Sequence, residues 1–471
     1  MYNITLMLDP GAKTPMYGQL YRYFVEEIHS GRMRPGEKLP SKRALCAHLG
    51  VSRSTVETAY AILAAEGYVS PRAKSGFYVS SFVTLEGKNC DVLPEHDAVE
   101  EVQEAERAEF DFSTASVDTS CFPYSSWAKL NREVVYSSPE LLQIGRRQGD
   151  AALRNALCAF LREYRGVRCT PGQIVVGAGM EYLSVLLLSL LPERAVFALE
   201  DPGYASIYHT VRHAGRALRL IPLDAHGMRA GALEASDATV AYITPSHQFP
   251  MGVTMPAGRR SELLKWASGG QERYIIEDDY DSEFRYGLRP VPAMQGMDSA
   301  GRVIYVGTFS RSVAPSIRIA YMVLPEPLLE RYRAVHGFSL STVSRYEQAV
   351  MARFLSEGFY ARYLRRVGNL YARRREALVP ALEGIEGVTV SGSGGGIHFL
   401  LTNPRFSESG LIRRAQGQGI LLRGLSDFCR ECAPPPSTLV IGYGGLEDAK
   451  IEQAVERLRR AWDTSENELL Y

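Results

Sequence analysis

The sequence predicts an α/β domain carrying a smaller α+β lobe, preceded by a small domain of three helices and a β-hairpin. Three observations carry this reading. From Phe110 onward, short β-branched runs alternate with stretches of helical periodicity. Residues 15–80 hold three apolar helical stripes and then two short strand-like runs. Between these regions, residues 86–109 carry nine acids against two bases, with few apolar side chains. The expected boundaries are therefore 1–80, 81–109 and 110–471.

A chain of 471 residues is too long for one ordinary core, and 45% apolar with 23% charged residues is the balance of a globular protein. Basic and acidic side chains are equal at 53 each, yet residues 1–80 carry ten Lys/Arg against six Asp/Glu. Asp9, Pro10 and Gly11 stand where a secretion signal needs an apolar core. The longest largely apolar run, Tyr182 to Leu191, is stopped by Pro192-Glu193-Arg194 and is too short to span a bilayer, so no membrane partner is expected. Seven scattered cysteines fit reduced thiols in a cytoplasm. Cys429-Arg430-Glu431-Cys432 is a lone CxxC with no second pair nearby. It reads as a loop with two free thiols, and no metal site is expected.

In the first domain, Tyr17, Leu20, Tyr21, Phe24 and Ile28 recur at helical spacing, and Gly31 ends that helix. Ser41 offers an N-cap for a second helix reaching Leu49, which Gly50 breaks. Ser52 caps a third helix with Val56, Ala59, Tyr60 and Leu63 on one apolar face, and Gly67 stops it. Tyr68-Val69-Ser70 and Phe77-Tyr78-Val79 read as two strands. Helix, helix, short turn, helix and wing is the order of a winged helix-turn-helix, although a three-helix protein-interaction module has the same helices. Ser52-Arg53-Ser54-Thr55 falls at the N-terminus of the third helix, the end that meets base edges and phosphates in DNA readers.

The runs Leu39-Pro40-Ser41-Lys42-Arg43, Val51-Ser52-Arg53-Ser54-Thr55-Val56, Gly67-Tyr68-Val69 and Ser75-Gly76-Phe77 resemble the GntR-type DNA-binding domain. That resemblance implies double-stranded DNA as a partner, contacted by Arg43, Ser52, Arg53, Ser54 and Thr55, with Lys74 and Gly76 on the wing. Glu57 stands where some members carry a base. A carboxylate there either reads a cytosine amine or is solvated.

Residues 81–109 read as a flexible, charge-extended linker with a helical stretch from Ala98 to Ala108. Beyond it, five strand-like runs each end in a polar turn. Ile174-Val175-Val176 leads into Gly177-Ala178-Gly179-Met180, and Ala195 to Leu199 into Glu200-Asp201-Pro202-Gly203-Tyr204. Val240 to Ile243 leads into Thr244-Pro245-Ser246-His247-Gln248, Tyr274-Ile275-Ile276 into Glu277-Asp278-Asp279-Tyr280, and Val303 to Val306 into Gly307-Thr308. In such sheets ligands gather outside the carboxyl ends of the strands. The tail from about Val335 combines an Arg-rich helix, a Gly-rich turn (Gly392 to Gly396), a strand (Ile397 to Leu401) and a last helix from Leu446. Over Tyr360 to Pro380, Glu376 is the only acid against Arg362, Arg365, Arg366, Arg373, Arg374 and Arg375. This stretch is a solvated basic face, or one that touches DNA phosphates beside an operator.

Pro245-Ser246-His247-Gln248-Phe249-Pro250, Ile276-Glu277-Asp278-Asp279-Tyr280-Asp281-Ser282-Glu283-Phe284 and Gly307-Thr308-Phe309-Ser310 resemble the MocR/GabR family of bacterial regulators. That family joins a GntR-type winged helix to an aminotransferase-like, fold-type I pyridoxal-phosphate domain, and the resemblance spans nearly all of residues 110–465. It implies Asp278 against the pyridine nitrogen, Tyr280 at the phenolic oxygen, Tyr204 stacked on the ring and His247 or Gln248 beside it. The backbone of Ala178, Gly179 and Met180, with Thr308, Ser310 and Arg318, would cup the phosphate. A homodimer and a small-molecule effector are implied as well.

One position breaks the pattern. The family's Schiff-base lysine is replaced by Arg311, whose guanidinium stays protonated and can neither form an imine nor shuttle a proton. The lysines beyond residue 110 are Lys129, Lys265 and Lys450, none of them near that run. Pro436, Ser206 and Ile144 stand where the family often has a substrate-carboxylate arginine, a second arginine and a phosphate-reaching tyrosine. The expectation is a transcription regulator without catalytic residues, holding pyridoxal phosphate non-covalently at best. A working aminotransferase with a DNA-binding arm is the alternative that the missing lysine argues against. In an empty pocket, Arg311 is expected beside Asp278 or Tyr280.

Overall fold

The structure, a computed structural model, describes residues 6, 8–12, 14–73, 75–81, 108–286 and 291–463. The chain divides into two compact units, Met1–Asp97 and Ala98–Tyr471. The expected linker, with its helical stretch, lies almost wholly outside the described residues, as does Lys74.

In the first unit, α1 (Met16–His29), α2 (Lys42–Leu49) and α3 (Arg53–Ala65) pack around buried Leu20, Phe24, Leu45, Val56 and Leu63. The two expected caps are present: Ser41 Oγ accepts the Ala44 N–H and Ser52 Oγ the Thr55 N–H, each at 3.2 Å. Each satisfies a first-turn donor that has no intrahelical partner. Gly50, at φ 65°, turns the chain left-handed between α2 and α3, where a side chain would be strained. Tyr60 joins the parts of this unit. Its ring meets Phe24 at 5.7 Å and Phe77 at 5.2 Å, and its hydroxyl donates to the Pro40 carbonyl at 2.9 Å. The wing is β1 (Val69–Arg72) against β2 (Gly76–Val79), antiparallel with Arg72 opposite Gly76.

The second unit opens with β3 (Phe110–Asp111). Then β4 (Ile174–Gly177), β5 (Val196–Asp201), β6 (Ala217–Asp224), β7 (Gly227–Met228), β8 (Val240–Ile243), β9 (Tyr274–Asp279), β10 (Val303–Thr308) and β11 (Ala320–Val323) make one sheet. Its order is β4-β11-β10-β9-β8-β5-β6-β7. β10, β9, β8, β5 and β6 run parallel, while β11 is antiparallel to both its neighbours, so β4 points the same way as β10. Helices cover both faces, which is why the central strands are continuously apolar. Tyr242 and Ile276 pack with Leu187 and Leu328 on one side, and Ala241 and Ile275 with Leu263 and Trp266 on the other. All five polar turns therefore emerge at one edge of the sheet. β11 was not foreseen; its four residues follow Arg318 too closely for a period to show.

The smaller lobe holds β12 (Thr389–Ser391), β13 (His398–Thr402), β14 (Ile420–Leu421), β15 (Arg423–Gly424) and β16 (Thr438–Gly442). Four of them form an antiparallel sheet in the order β12-β13-β16-β15, and β14 pairs with β3. The last helix begins at Ile451, not Leu446, because Asp448–Lys450 first forms a 3₁₀ turn. The Arg-rich segment is a helix over Phe359–Glu383, and it is not one basic face. Its buried stripe runs through Tyr360, Tyr363, Val367, Tyr371, Arg374 and Leu378, so Arg374 points inward by helical period. There it bonds Asp118 and Asp448 at 2.5 Å each. Arg366 donates to the Cys121 carbonyl and Arg375 to that of Ser393, leaving Arg362, Arg365 and Arg373 facing outward. No helix among the described residues is long and apolar enough to cross a membrane.

Candidate functional site

Two groups of predicted residues are brought together, one in each unit. In the first, Arg43, Ser52, Arg53 and Ser54 are exposed around the start of α3, and Thr55 is half-buried. The hydroxyls form a small network: Ser52 Oγ lies 2.9 Å from Ser54 Oγ and 2.8 Å from Thr55 Oγ1. Glu57 neither stands alone in solvent nor is free for a base. It accepts Arg53 Nε at 3.0 Å and lies 3.4 Å from Lys42 Nζ, and the Arg53 bond holds its carboxyl below the usual range. Lys42 is thus a member of this surface that helical reading alone had left out; its signal was the Ser-Lys-Arg run at the N-cap. On the wing, Gly76 sits at φ 117° with Arg72 stacked 4.3 Å from the Tyr78 ring, and an added Cβ there would lie 3.3 Å from Lys38.

In the second unit, the edge where the polar turns emerge encloses a cavity of about 180 Å³. Met180, Tyr204, Asp278, Tyr280, Thr308, Ser310, Arg311 and Arg318 line it. Four predicted residues do not. Ala178 gives its N–H to Thr342 Oγ1 at 2.9 Å, and Gly179 gives its own to the Gly177 carbonyl at 2.9 Å. Gly179 nevertheless shapes the site, since a Cβ there would fall 2.2 Å from Arg318 Nη2. Gln248 is held away by its bonds to Glu200, to the Phe249 carbonyl and from the Met251 N–H. His247 turns toward Asp281 at 2.9 Å and His398 at 4.6 Å between rings. Its neighbour in sequence, Phe249, takes the wall position instead, together with Thr244, Glu181, Ala115 and Pro315.

Asp278 is the buried acid of this cavity. Tyr242 donates to its Oδ2 at 2.5 Å, while Oδ1 is buried with no partner. Burial pushes the Asp278 carboxyl up to about 7, against the pull of the Tyr242 bond. Arg311 does not pair with it, nor with Tyr280, whose hydroxyl bonds the His247 carbonyl at 2.9 Å. Arg311 does lie beside both, sharing the cavity with them and drawing both groups down by its charge, but Asp278 takes its hydrogen-bond donor from Tyr242. Arg311 also faces Tyr204, whose phenol burial raises and Arg311 draws back down. Arg318 is turned to Glu181, with which it forms an ion pair.

Adjacent to Asp278 on β9, Asp279 points to the opposite face. Arg165 Nε at 2.6 Å and the Tyr305 hydroxyl at 2.5 Å grip it, and together they outweigh burial and hold its carboxyl low. Two neighbouring acids are thus driven apart in their proton affinity by which face they occupy. At the end of β5, Asp201 accepts the backbone N–H groups of Arg430, Glu431 and Cys432 at 2.9, 2.8 and 2.7 Å. The CxxC loop is therefore pinned to the β5 edge by Asp201, with both thiols free.

A winged helix bearing a basic, hydroxyl-rich helix start, joined to a mixed sheet with its cavity at the strand ends, defines a class: a DNA-binding domain on an aminotransferase fold. Residues 16–79 match the bacterial regulatory proteins of the gntR family, and residues 111–458 match aminotransferase class I and II. The chain is 36% identical to the uncharacterized HTH-type transcriptional regulator YdeL of Bacillus subtilis (strain 168), over 98% of this chain and 99% of that protein. It is 33% identical to the probable rhizopine catabolism regulatory protein MocR of Rhizobium meliloti, over 97% and 96% of the two chains. The multiple substrate aminotransferase of Thermococcus profundus has a similar structure, with a TM-score of 0.69 and 25% identity over 78% of this chain and 95% of that one. The chain belongs to the MocR-type family of GntR regulators with an aminotransferase-like domain.

Proposed function

We propose that the protein is a cytoplasmic, homodimeric transcription regulator whose aminotransferase-like domain senses a small molecule without aminotransferase chemistry. The observation that carries this is Arg311 on the cavity wall, in the company of Asp278, Tyr204, Ser310 and Arg318. The cavity keeps features that fit pyridoxal phosphate. Asp278 Oδ1 and Ser310 Oγ are buried without partners, and Gly179 leaves room under the Arg318 guanidinium. Asp278 would hold the ring nitrogen, Tyr204 and Phe249 the ring faces, and Ser310, Thr308 and Arg318 the phosphate. When bound, the cofactor supplies an electron-withdrawing ring that stabilises carbanionic charge on an amino acid. Arg311 adds a fixed positive charge and a planar fork for an anion, but no nucleophilic amine and no removable proton. Retained ligand contacts without the reactive amine are what a sensor needs and an aminotransferase lacks.

The readout is DNA. Homodimerisation would place two winged helices on two half-sites. Its support is a set of exposed apolar side chains, Tyr136 at 84%, Leu142 at 79%, Ile144 at 80% and Phe338 at 80% exposure. Full-length protein is expected to bind duplex DNA with strong salt dependence, because Arg43 and Arg53 displace counterions from phosphates. Arg53→Ala is expected to weaken binding to its operator by roughly ten- to hundredfold if the side chain reads a base. Gel shifts across salt concentrations measure both effects. Operator binding that is unchanged in Arg53→Ala, or absent at low salt in the wild type, would remove the reading of this surface.

A further inference from the structure

A second cavity, of about 510 Å³, opens on the Asp279 side of β9, between helices Ala151–Arg165 and Phe359–Glu383 and the turn Ser282–Tyr286. Ser282 and Arg285 also line a separate space of about 400 Å³ beside Gly394–Gly396. Among the described residues four arginines reach it, and they differ in what they already hold. Arg165 is engaged by Asp279. Arg285 gives one nitrogen to the Ser246 carbonyl at 2.7 Å, and among the described residues no carboxylate pairs with it. Burial, with the charge of Arg165 adding to it, draws its proton affinity down, against the pull of Asp279 and Asp281. Arg375 bonds the Ser393 carbonyl at 3.0 Å, and its nearest carboxylate, Glu376, is 3.9 Å away and largely exposed. Arg365 is exposed on the rim, with no partner among the described residues.

The buried aspartates nearest these cations already have partners, Asp279 in Arg165 and Asp281 in His247. Burial, with Asp279 adding to it, pushes the Glu283 carboxyl up to about 8, so near neutral pH it is mostly uncharged. Its Oε2 is buried without a partner, and the Tyr360 hydroxyl reaches only Oε1, at 3.3 Å. A protonated carboxyl there is a donor facing a cationic space. Glu376 lies out in solvent and is screened.

We propose that this cavity binds a small di- or tricarboxylate, with its carboxylates on the forks of Arg285, Arg365 and Arg375 and the Glu283 carboxyl donating to one of them. Guanidinium forks match carboxylates bidentately. Arg285, Arg365 and Arg375 reach one cavity from two different elements, which favours an anion with more than one carboxylate over a single phosphate. The inference stands apart from the reading of the Arg311 cavity, because the two sites share no residue.

The test is isothermal titration of the full-length protein with citrate, with acetate and inorganic phosphate as comparison anions at fixed ionic strength. Citrate is expected to bind saturably at one site per chain, with acetate and phosphate at least about tenfold weaker, since each lost charged hydrogen bond costs about that much. Arg365→Gln is expected to weaken citrate about tenfold and Arg365→Gln/Arg375→Gln further, while Arg373→Gln, exposed on the same helix and outside the cavity lining, leaves it unchanged. Arg365 is exposed and has no partner among the described residues, so the single variant keeps the test decisive even where the double variant is unstable. No saturable citrate binding, equal affinity for phosphate, or loss through Arg373→Gln would overturn the proposal. So would a Arg365→Gln protein that loses DNA affinity but keeps citrate, which would assign these arginines to DNA phosphates.

Discussion

Arg311→Lys is expected to turn a protein that holds pyridoxal phosphate reversibly, or not at all, into one that links to it covalently. The substitution places a primary amine on the wall of a cavity that still contains Asp278, Tyr204, Tyr280, Ser310 and Arg318. The positive charge of Arg318 and partial burial both favour the neutral, nucleophilic amine. Borohydride treatment of the variant with added cofactor should leave one pyridoxyl group on the peptide that contains residue 311, found by mass spectrometry. Glu181 is the one obstacle visible in the cavity, because it competes with phosphate for Arg318. Glu181→Gln in the Arg311→Lys background is therefore expected to tighten cofactor retention. If both variants leave the peptide unmodified, the cavity has lost its fit as well as its amine, and pyridoxal phosphate is not its ligand.

Arg165→Met is expected to destabilise the aminotransferase-like domain by about 3–5 kcal/mol, the cost of leaving a buried charge without its partner. Asp279 is almost fully buried and would keep the Tyr305 and Ser282 hydroxyls but no cation bonded to it. The pH dependence has a definite sign. In the wild type the folded carboxyl is held below its unfolded value, so the stability it contributes is present above about pH 4 and is lost as pH falls through the folded pKa. Without the guanidinium, burial acts on Asp279 alone and raises it. The gap between wild type and variant should be widest at neutral pH and narrow below about pH 4 in thermal or denaturant unfolding. Arg365→Met, on the exposed rim, is the control expected within about 0.5 kcal/mol of wild type. A deficit for Arg165→Met that is small and independent of pH would mean that Asp279 is not charged in the native state.

Much of this arrangement was legible in the chain. Ser41 and Ser52 announce helix starts because a hydroxyl before an apolar stripe has one economical use, and both do cap. The five polar turns declare themselves by following apolar runs, and parallel topology then gathers them at one edge. What escaped was set by tertiary packing. β11 is four residues with no period of its own, held in place by pairing with β4 and β10 and by the cores on the two sides of the sheet. Arg374 looks like surface charge until its place on the buried helix stripe is counted, and Asp118 and Asp448 lie far from it in sequence. Phe249 rather than Gln248 faces the cavity because Gln248 is claimed by Glu200 and by the backbone of its own loop. Arg311 lies beside Asp278 as expected, but the donor to that carboxylate is Tyr242, on the neighbouring strand β8.

The central claim is that this cavity reads a ligand without a covalent step, and the wild-type protein tests it most directly. Purified full-length protein, incubated with pyridoxal phosphate, desalted and only then reduced with borohydride, should carry no chromophore and no pyridoxyl group on any peptide that lines the cavity. One pyridoxyl group per chain that survives desalting and maps to a peptide lining the cavity, rather than scattered over exposed lysines such as Lys129, would show a reactive amine where this account has a guanidinium, and would contradict it.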